Sequence, residues 1–161
     1  MRVGQNPVKS MEQVAPPAPV TVVLISYVPF LSGYYAQSLD VLKLCVGSIV
    51  ENTEGDYDLL VFDNGSCEEV RSYLLAEQAA GRVQYLLLAE RNLGKAAAWN
   101  MALAAAPGQV IAYTDSDVYF YPGWLPAQLE AVENFPRAGM VSGMPMLTPE
   151  KSSSLTLYWR K

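Results

Sequence analysis

Two aspartates, Asp115 and Asp117, stand one serine apart where the apolar run "VIAYT" ends. If the chain stays extended there, alternate side chains share a side, so both carboxylates project together and Ser116 opposes them. Two carboxylates so close repel each other unless a cation sits beside them. Mg²⁺ or Mn²⁺ suits such a pair, since these hard ions take oxygen ligands and combine one or two carboxylates with substrate phosphates. A turn with a cap for the following helix is the other reading of the same triplet. Asp63, in "VFDNGS", also ends an apolar run. Its carboxylate could accept a hydrogen bond from a base or sugar, or the stretch could be an ordinary turn. In "RNLGKAAAWN", Arg91, Asn92 and Lys95 could offer cations and backbone N–H groups to a diphosphate at a helix N-terminus. A flexible loop with a solvated lysine fits as well. Ser26 and Tyr27 close the earliest apolar run, and Tyr27 stands where a base could stack.

The elements around these residues alternate. "VTVVLISY" is a β-branched run suited to a strand buried on both faces. Leu42, Cys45, Val46, Ile49 and Val50 recur at the spacing of one apolar helical stripe. "DLLVFDNGS" is a second strand with a turn behind it. Val70 to Ala80 reads as a helix, capped by Gly81. "RVQYLLL" is a third strand and "KAAAWNMALAAA" a strong helix former, small enough in its side chains to lie close against a sheet. "QVIAYT" is a fourth strand, ending at Asp115. Leu125, Leu129 and Val132 mark a helix after Pro122-Gly123, "AGMVSG" suggests a fifth strand, and "SLTLYW" in the tail could be another. This order predicts an α/β three-layer sandwich on a mostly parallel sheet, spanning residues 20–161. Residues 1–19, ending in "APPAP", read as a disordered or extended lead-in. In such a sheet ligands bind beyond the carboxyl ends of the strands, where all the polar groups named above would gather.

Composition narrows the chemistry. The net charge is −5 and the 11 Lys and Arg are scattered. That disfavours nucleic acid as a partner, because phosphate neutralisation needs a basic stripe. A metal-held nucleotide stays open, since the ion supplies the missing positive charge. The chain has no histidine and only Cys45 and Cys67, which excludes Ser-His-Asp and Cys-His catalysis and argues against a zinc site. The two cysteines suit reduced thiols, with a disulfide between them left open. The longest apolar run, residues 20–31, is too short and too interrupted to span a bilayer. No signal peptide is evident, so the expected location is the cytoplasm or the membrane periphery. Neither a Walker G-x-x-x-x-G-K-[ST] nor a G-x-G-x-x-G follows a strand.

Taken in order, "VTVVLISY", "LLVFDNGS", "ERNLGKAAAWNMAL" and "IAYTDSDVYFYPGWL" resemble family 2 glycosyltransferases with the GT-A fold, in their N-terminal, nucleotide-sugar-binding part. The resemblance covers roughly residues 20–145. It implies transfer of a sugar from a UDP- or GDP-sugar donor to an acceptor hydroxyl, with inversion, assisted by Mg²⁺ or Mn²⁺. It places Ser26, Tyr27 and Asp63 near the base, Asp115 near the ribose or metal, and Asp117 on the metal at the diphosphate. Asn92 belongs to the matching Asn-x-Gly loop, whereas Arg91 and Lys95 are nearby cations without a motif match. Two features depart from the family: "ISYVPF" lacks its Pro-x-Tyr-Asn turn, and "VPFLSGYYAQ" is a long insertion before the first helix. The family's general base comes after the D-x-D half. Glu130, Glu133 and Glu150 are the acidic residues there, and none is assigned, so the acceptor half is expected to be missing from the chain. A donor-binding module without turnover is the first rival reading. The second is a sugar-phosphate nucleotidyltransferase, which would want a cationic Gly-rich loop where "ISYVPFLSGYY" has no cation.

Overall fold

A computed structural model describes Gly4, residues 15–135 and residues 137–143. Four strands, β1 (Val20–Ser26), β2 (Tyr57–Asp63), β3 (Tyr85–Leu88) and β4 (Val110–Asp115), form one sheet in the order β3-β2-β1-β4. Every pairing is parallel. Helices α1 (Ser38–Asn52), α2 (Glu68–Ala79) and α3 (Lys95–Ala105) connect successive strands, and α4 (Trp124–Asn134) follows β4. The insertion before α1 forms a short 3-10 helix, Gly33–Tyr35, whose Tyr35 ring meets those of Phe30 and Tyr34 edge-on.

β1 is central, and all seven of its residues are buried. Its Val22 and Leu24, with Leu59 and Val61 of β2, pack on Leu42, Cys45, Val46 and Ile49 of α1 and on Val70 and Leu74 of α2. On the opposite face Val23, Ile25, Leu60 and Phe62 pack on Ala98 and Ala102 of α3. The alanines are why α3 lies close: a methyl group holds the helix axis nearer the strands than a leucine would. Helices on both faces of a parallel sheet give the three-layer α/β architecture expected from the alternation of elements.

Several local expectations are corrected. The α2 helix begins at Glu68, two residues before the apolar signal at Val70, because Glu68 and Glu69 suit the positive N-terminal turn. β3 is only four residues long. Before it, the Gln84 side chain takes over the ladder, its Oε1 accepting from Leu59 N at 2.7 Å while Gln84 N donates to Leu59 O. Residues 138–143 form no strand; glycines at 139 and 143 bound a run too short to hold a ladder. Of the 1–19 lead-in, Ala18 is buried and donates its N–H to Asp58, and Pro19 O accepts from Gln109 and Val110, so its end is docked. The tail suggested as a strand, and Glu150, lie outside the described residues. Cys45 and Cys67 are free thiols rather than a disulfide. Among the described residues no helix is long and apolar enough to cross a membrane.

Candidate donor-binding site

The register of the sheet fixes where the polar residues stand. Ser26 pairs with Asp63, Asp63 with Leu88, and Ile25 with Asp115. The ends of all four strands therefore meet at one rim. β2 and β4 flank β1, which sets the backbones of Asp63 and Asp115 about 10 Å apart, two strand spacings. The two side chains face opposite ways. Asp63 shares the α1/α2 face with Ser26, while Asp115 shares the α3 face with Ile25, since paired residues of parallel strands project together.

Asp63 is fully buried. Ser26 Oγ donates to its Oδ1 at 3.3 Å, and Ser66 N donates to its Oδ2 at 3.1 Å. The second bond closes the turn that follows β2, so the turn reading of "DNGS" holds for this residue. Ser66 Oγ accepts from Val28 N at 2.9 Å, tying the segment after β1 to the same turn. No Lys or Arg pairs with Asp63 among the described residues.

Asn64 ties this turn to the loop after β3. Its Oδ1 accepts from Leu93 N at 2.9 Å, and its Nδ2 donates to Asn92 Oδ1 at 3.0 Å. Asn92 Oδ1 also accepts from Gly94 N. Between them, Gly65 has φ +83°, and a Cβ there would lie 2.6 Å from the Arg91 carbonyl carbon and 2.7 Å from Asn92 N. Only glycine permits both the left-handed backbone and that approach. Sequence reasoning treats Asn64 and Gly65 as turn residues; the close packing of two loops has no local signature.

Asp115 ends β4, and the chain turns at Ser116 and Asp117. The extended geometry expected for the triplet is thus replaced by a turn, and nothing forces the two carboxylates onto one side. Lys95 Nζ lies 3.0 Å from both oxygens of Asp115. Asp117 is exposed. The turn rests on α1. Cys45 Sγ donates to Asp115 O at 3.8 Å, and burial pushes the Cys45 thiol up to about 11, with the Asp117 charge adding to the rise against a lowering bond from the Val118 backbone. Beyond the turn, Phe120 N donates to Ser48 Oγ at 3.1 Å and Asn52 Nδ2 donates to Phe120 O at 2.8 Å. The Trp124 indole N–H donates to Thr53 Oγ1. The α1 helix and its C-cap Thr53 thus anchor the segment at Asp115, Phe120 and Trp124.

The rim accordingly gathers Ser26, Tyr27, Asp63, Asn92, Lys95, Asp115 and Asp117. Ser26 and Asp63 are buried; Tyr27, Asn92, Lys95, Asp115 and Asp117 are exposed. A hollow of about 400 Å³ opens on the β3 side, lined by Phe62, Leu87 to Arg91, Leu93 and Met101, with none of the aspartates in its walls. Among the described residues no group of three or more acidic, Cys or His side chains could cage a metal. By donor chemistry, the exposed carboxylates of Asp115 and Asp117 suit a Mg²⁺ or Mn²⁺ ion, which would take its remaining ligands from phosphate and water and would need Asp115 freed from Lys95.

A parallel three-layer sheet with its polar groups at the C-terminal rim defines the α/β class that binds ligands beyond its strand ends. The sequence pattern described as glycosyl transferase family 2 matches residues 34–154, and the chain belongs to that family. It is 31% identical over 106 residues to an uncharacterized glycosyltransferase of Nostoc sp., covering 64% of this chain and 31% of that protein. It is 30% identical over 88 residues to an uncharacterized glycosyltransferase of Rickettsia conorii, covering 55% of this chain and 14% of that protein. The chain therefore spans less than a third of these relatives. Among solved structures it resembles residues 1–349 of TarS from S. aureus, with a TM-score of 0.57 and 16% identity over 79% of this chain and 38% of that one. The same protein in complex with UDP-GlcNAc gives a TM-score of 0.58 and 16% identity, covering 80% and 37%. Likeness at that identity carries the fold, which is the GT-A fold expected from the sequence.

Proposed function

We propose that the chain binds a nucleoside-diphosphate sugar at this rim, as the donor-binding part of a metal-dependent glycosyltransferase that inverts the anomeric centre of the sugar. The observation that carries the reading is the register that sets Asp63 and Asp115 on either side of the end of β1, with Asp117 in the next turn. TarS, similar in fold, is known in complex with UDP-GlcNAc, which favours a UDP-sugar, with a GDP-sugar as the other donor to test. Tyr27 offers a ring face to the base. Asp63 orders the floor beneath it. Two of the carboxylate's lone-pair sites are used, so it keeps acceptor capacity, but a base reaches it only through a local opening of the rim. Asn92 shapes the loop beside the donor, and Lys95 presents an ammonium to the diphosphate. Asp117, with Asp115, would hold Mg²⁺ or Mn²⁺. Bound there, such an ion supplies Lewis-acid stabilisation of the negative charge on the departing diphosphate. The acceptor is a hydroxyl compound whose proton passes to a base that none of these residues provides.

The test is calorimetric titration of UDP and GDP with and without Mn²⁺. Asp117→Asn is expected to weaken Mn²⁺-dependent binding at least about tenfold, the loss of one charged ligand contact. Unchanged affinity would overturn the metal assignment. A donor-binding unit without turnover is the second reading. It is favoured because the acidic residues described beyond Asp117 are Glu130 and Glu133, both exposed on α4. Assays of donor hydrolysis and sugar transfer separate the two.

A further inference from the structure

Lys95 is the first residue of α3, and its ammonium sits equally, at 3.0 Å, from both oxygens of Asp115. The two side chains are 68% and 52% exposed, so the pair is loosely held and either member can leave it at small cost. While it lasts, it screens the carboxylate that a divalent ion would share with Asp117, because a positive charge at that distance repels a second cation. No cation pairs with Asp117 among the described residues. Gly94 caps α3 without a side-chain bond, so the first-turn N–H groups and the positive end of the helix dipole stand at the start of the helix that carries Lys95. An incoming diphosphate is drawn to that corner, and the flexible stem of Lys95 lets the ammonium swing to it.

We propose that Lys95 is a transferable counterion: it occupies Asp115 in the free protein and passes to the donor's diphosphate, which releases Asp115 to the metal. Bare cation and nucleotide then load together rather than separately. This rests on the donor-binding reading above and adds an order to it.

Lys95→Gln separates the two roles. Free Mn²⁺ is counted by its electron paramagnetic resonance signal without nucleotide, and UDP is titrated at saturating Mn²⁺. The variant is expected to bind bare Mn²⁺ about threefold to tenfold more tightly, the range set by an exposed pair plus a removed repulsion. It is expected to bind UDP with Mn²⁺ about tenfold more weakly, one charge-assisted contact having been lost. A damaged fold would weaken both, so the opposed signs identify the exchange. In the Lys95→Gln/Asp115→Asn double variant the gain in Mn²⁺ affinity should vanish, as a double-mutant cycle requires. Unchanged or weaker Mn²⁺ binding by Lys95→Gln overturns the counterion role. If that happens while wild-type UDP binding still needs Mn²⁺ and Asp117, the donor site stands and only the exchange falls. If wild-type UDP binding needs neither, both fall.

Discussion

Asp63 has no accessible surface, yet its two oxygens hold the Ser26 hydroxyl and the Ser66 backbone N–H. Asp63→Ala leaves that buried N–H without a partner, and stability is expected to fall by about 1–3 kcal/mol, read by urea denaturation. Unchanged stability would mean that the turn after β2 closes without the carboxylate. Cys45 gives a pH signature. Its thiol is raised from 9.0 to about 11, first by burial. The folded state therefore holds the proton more tightly, so this contribution is complete below pH 9 and is lost as pH rises through 11. Its size is about 2–3 kcal/mol. Urea midpoints between pH 7 and pH 10.5 should fall more steeply for wild type than for Cys45→Ala, and parallel curves would contradict the burial argument. Asp115 and Asp117 were visible in the sequence as residues, but their relation was not. Their alternation depends on an extended backbone, and the chain turns instead at Ser116, where α1 captures it through Cys45.

At the level of elements, α1 is a scaffold for the turn after β4 as well as a core helix. Ser48 and Asn52 satisfy both the N–H and the C=O of Phe120, a residue in neither helix nor strand. Asn52→Ala is expected to cost about 1–2 kcal/mol. It should also speed amide exchange through residues 117–120 and weaken Mn²⁺-dependent nucleotide binding. Exchange rates that stay at wild-type values there would refute the clamp. The apolar stripe Leu42, Cys45, Val46 and Ile49 was legible because its spacing records which side of the helix meets the sheet. Ser48 and Asn52 were not, since a polar residue at a helix edge looks the same whether it faces water or a neighbouring loop. β3 was overread for a related reason. "RVQYLLL" has strand composition throughout, but the Gln84 side chain substitutes for the ladder and the paired segment shortens to Tyr85–Leu88. The third layer was readable from "KAAAWNMALAAA", where Ala98 and Ala102 meet the sheet.

For the whole molecule, charge is the governing quantity. A nucleotide bound as proposed would have to approach a chain of net charge −5 against that chain's field. Chelation of divalent ions is therefore expected to lower UDP affinity at least about tenfold, and raising the ionic strength should change it far less than it would for a basic protein. Titrations with EDTA at two salt concentrations check both statements. Metal-free binding as tight as metal-loaded binding would sink them. The parallel layered sheet and its common rim follow from local patterns that each helix and strand announces, whereas the order of strands across the sheet has no local signature. The rim's fine structure depends on contacts between loops far apart in the chain. Gly65 and Asn64 join the turn after β2 to Arg91–Gly94 so tightly that no Cβ fits between them. The two loops are in effect a single interlocking part. Anyone exchanging loops with a relative would have to transplant both at once, since a chimaera that brings a side chain to position 65 beside the present partner loop would jam there.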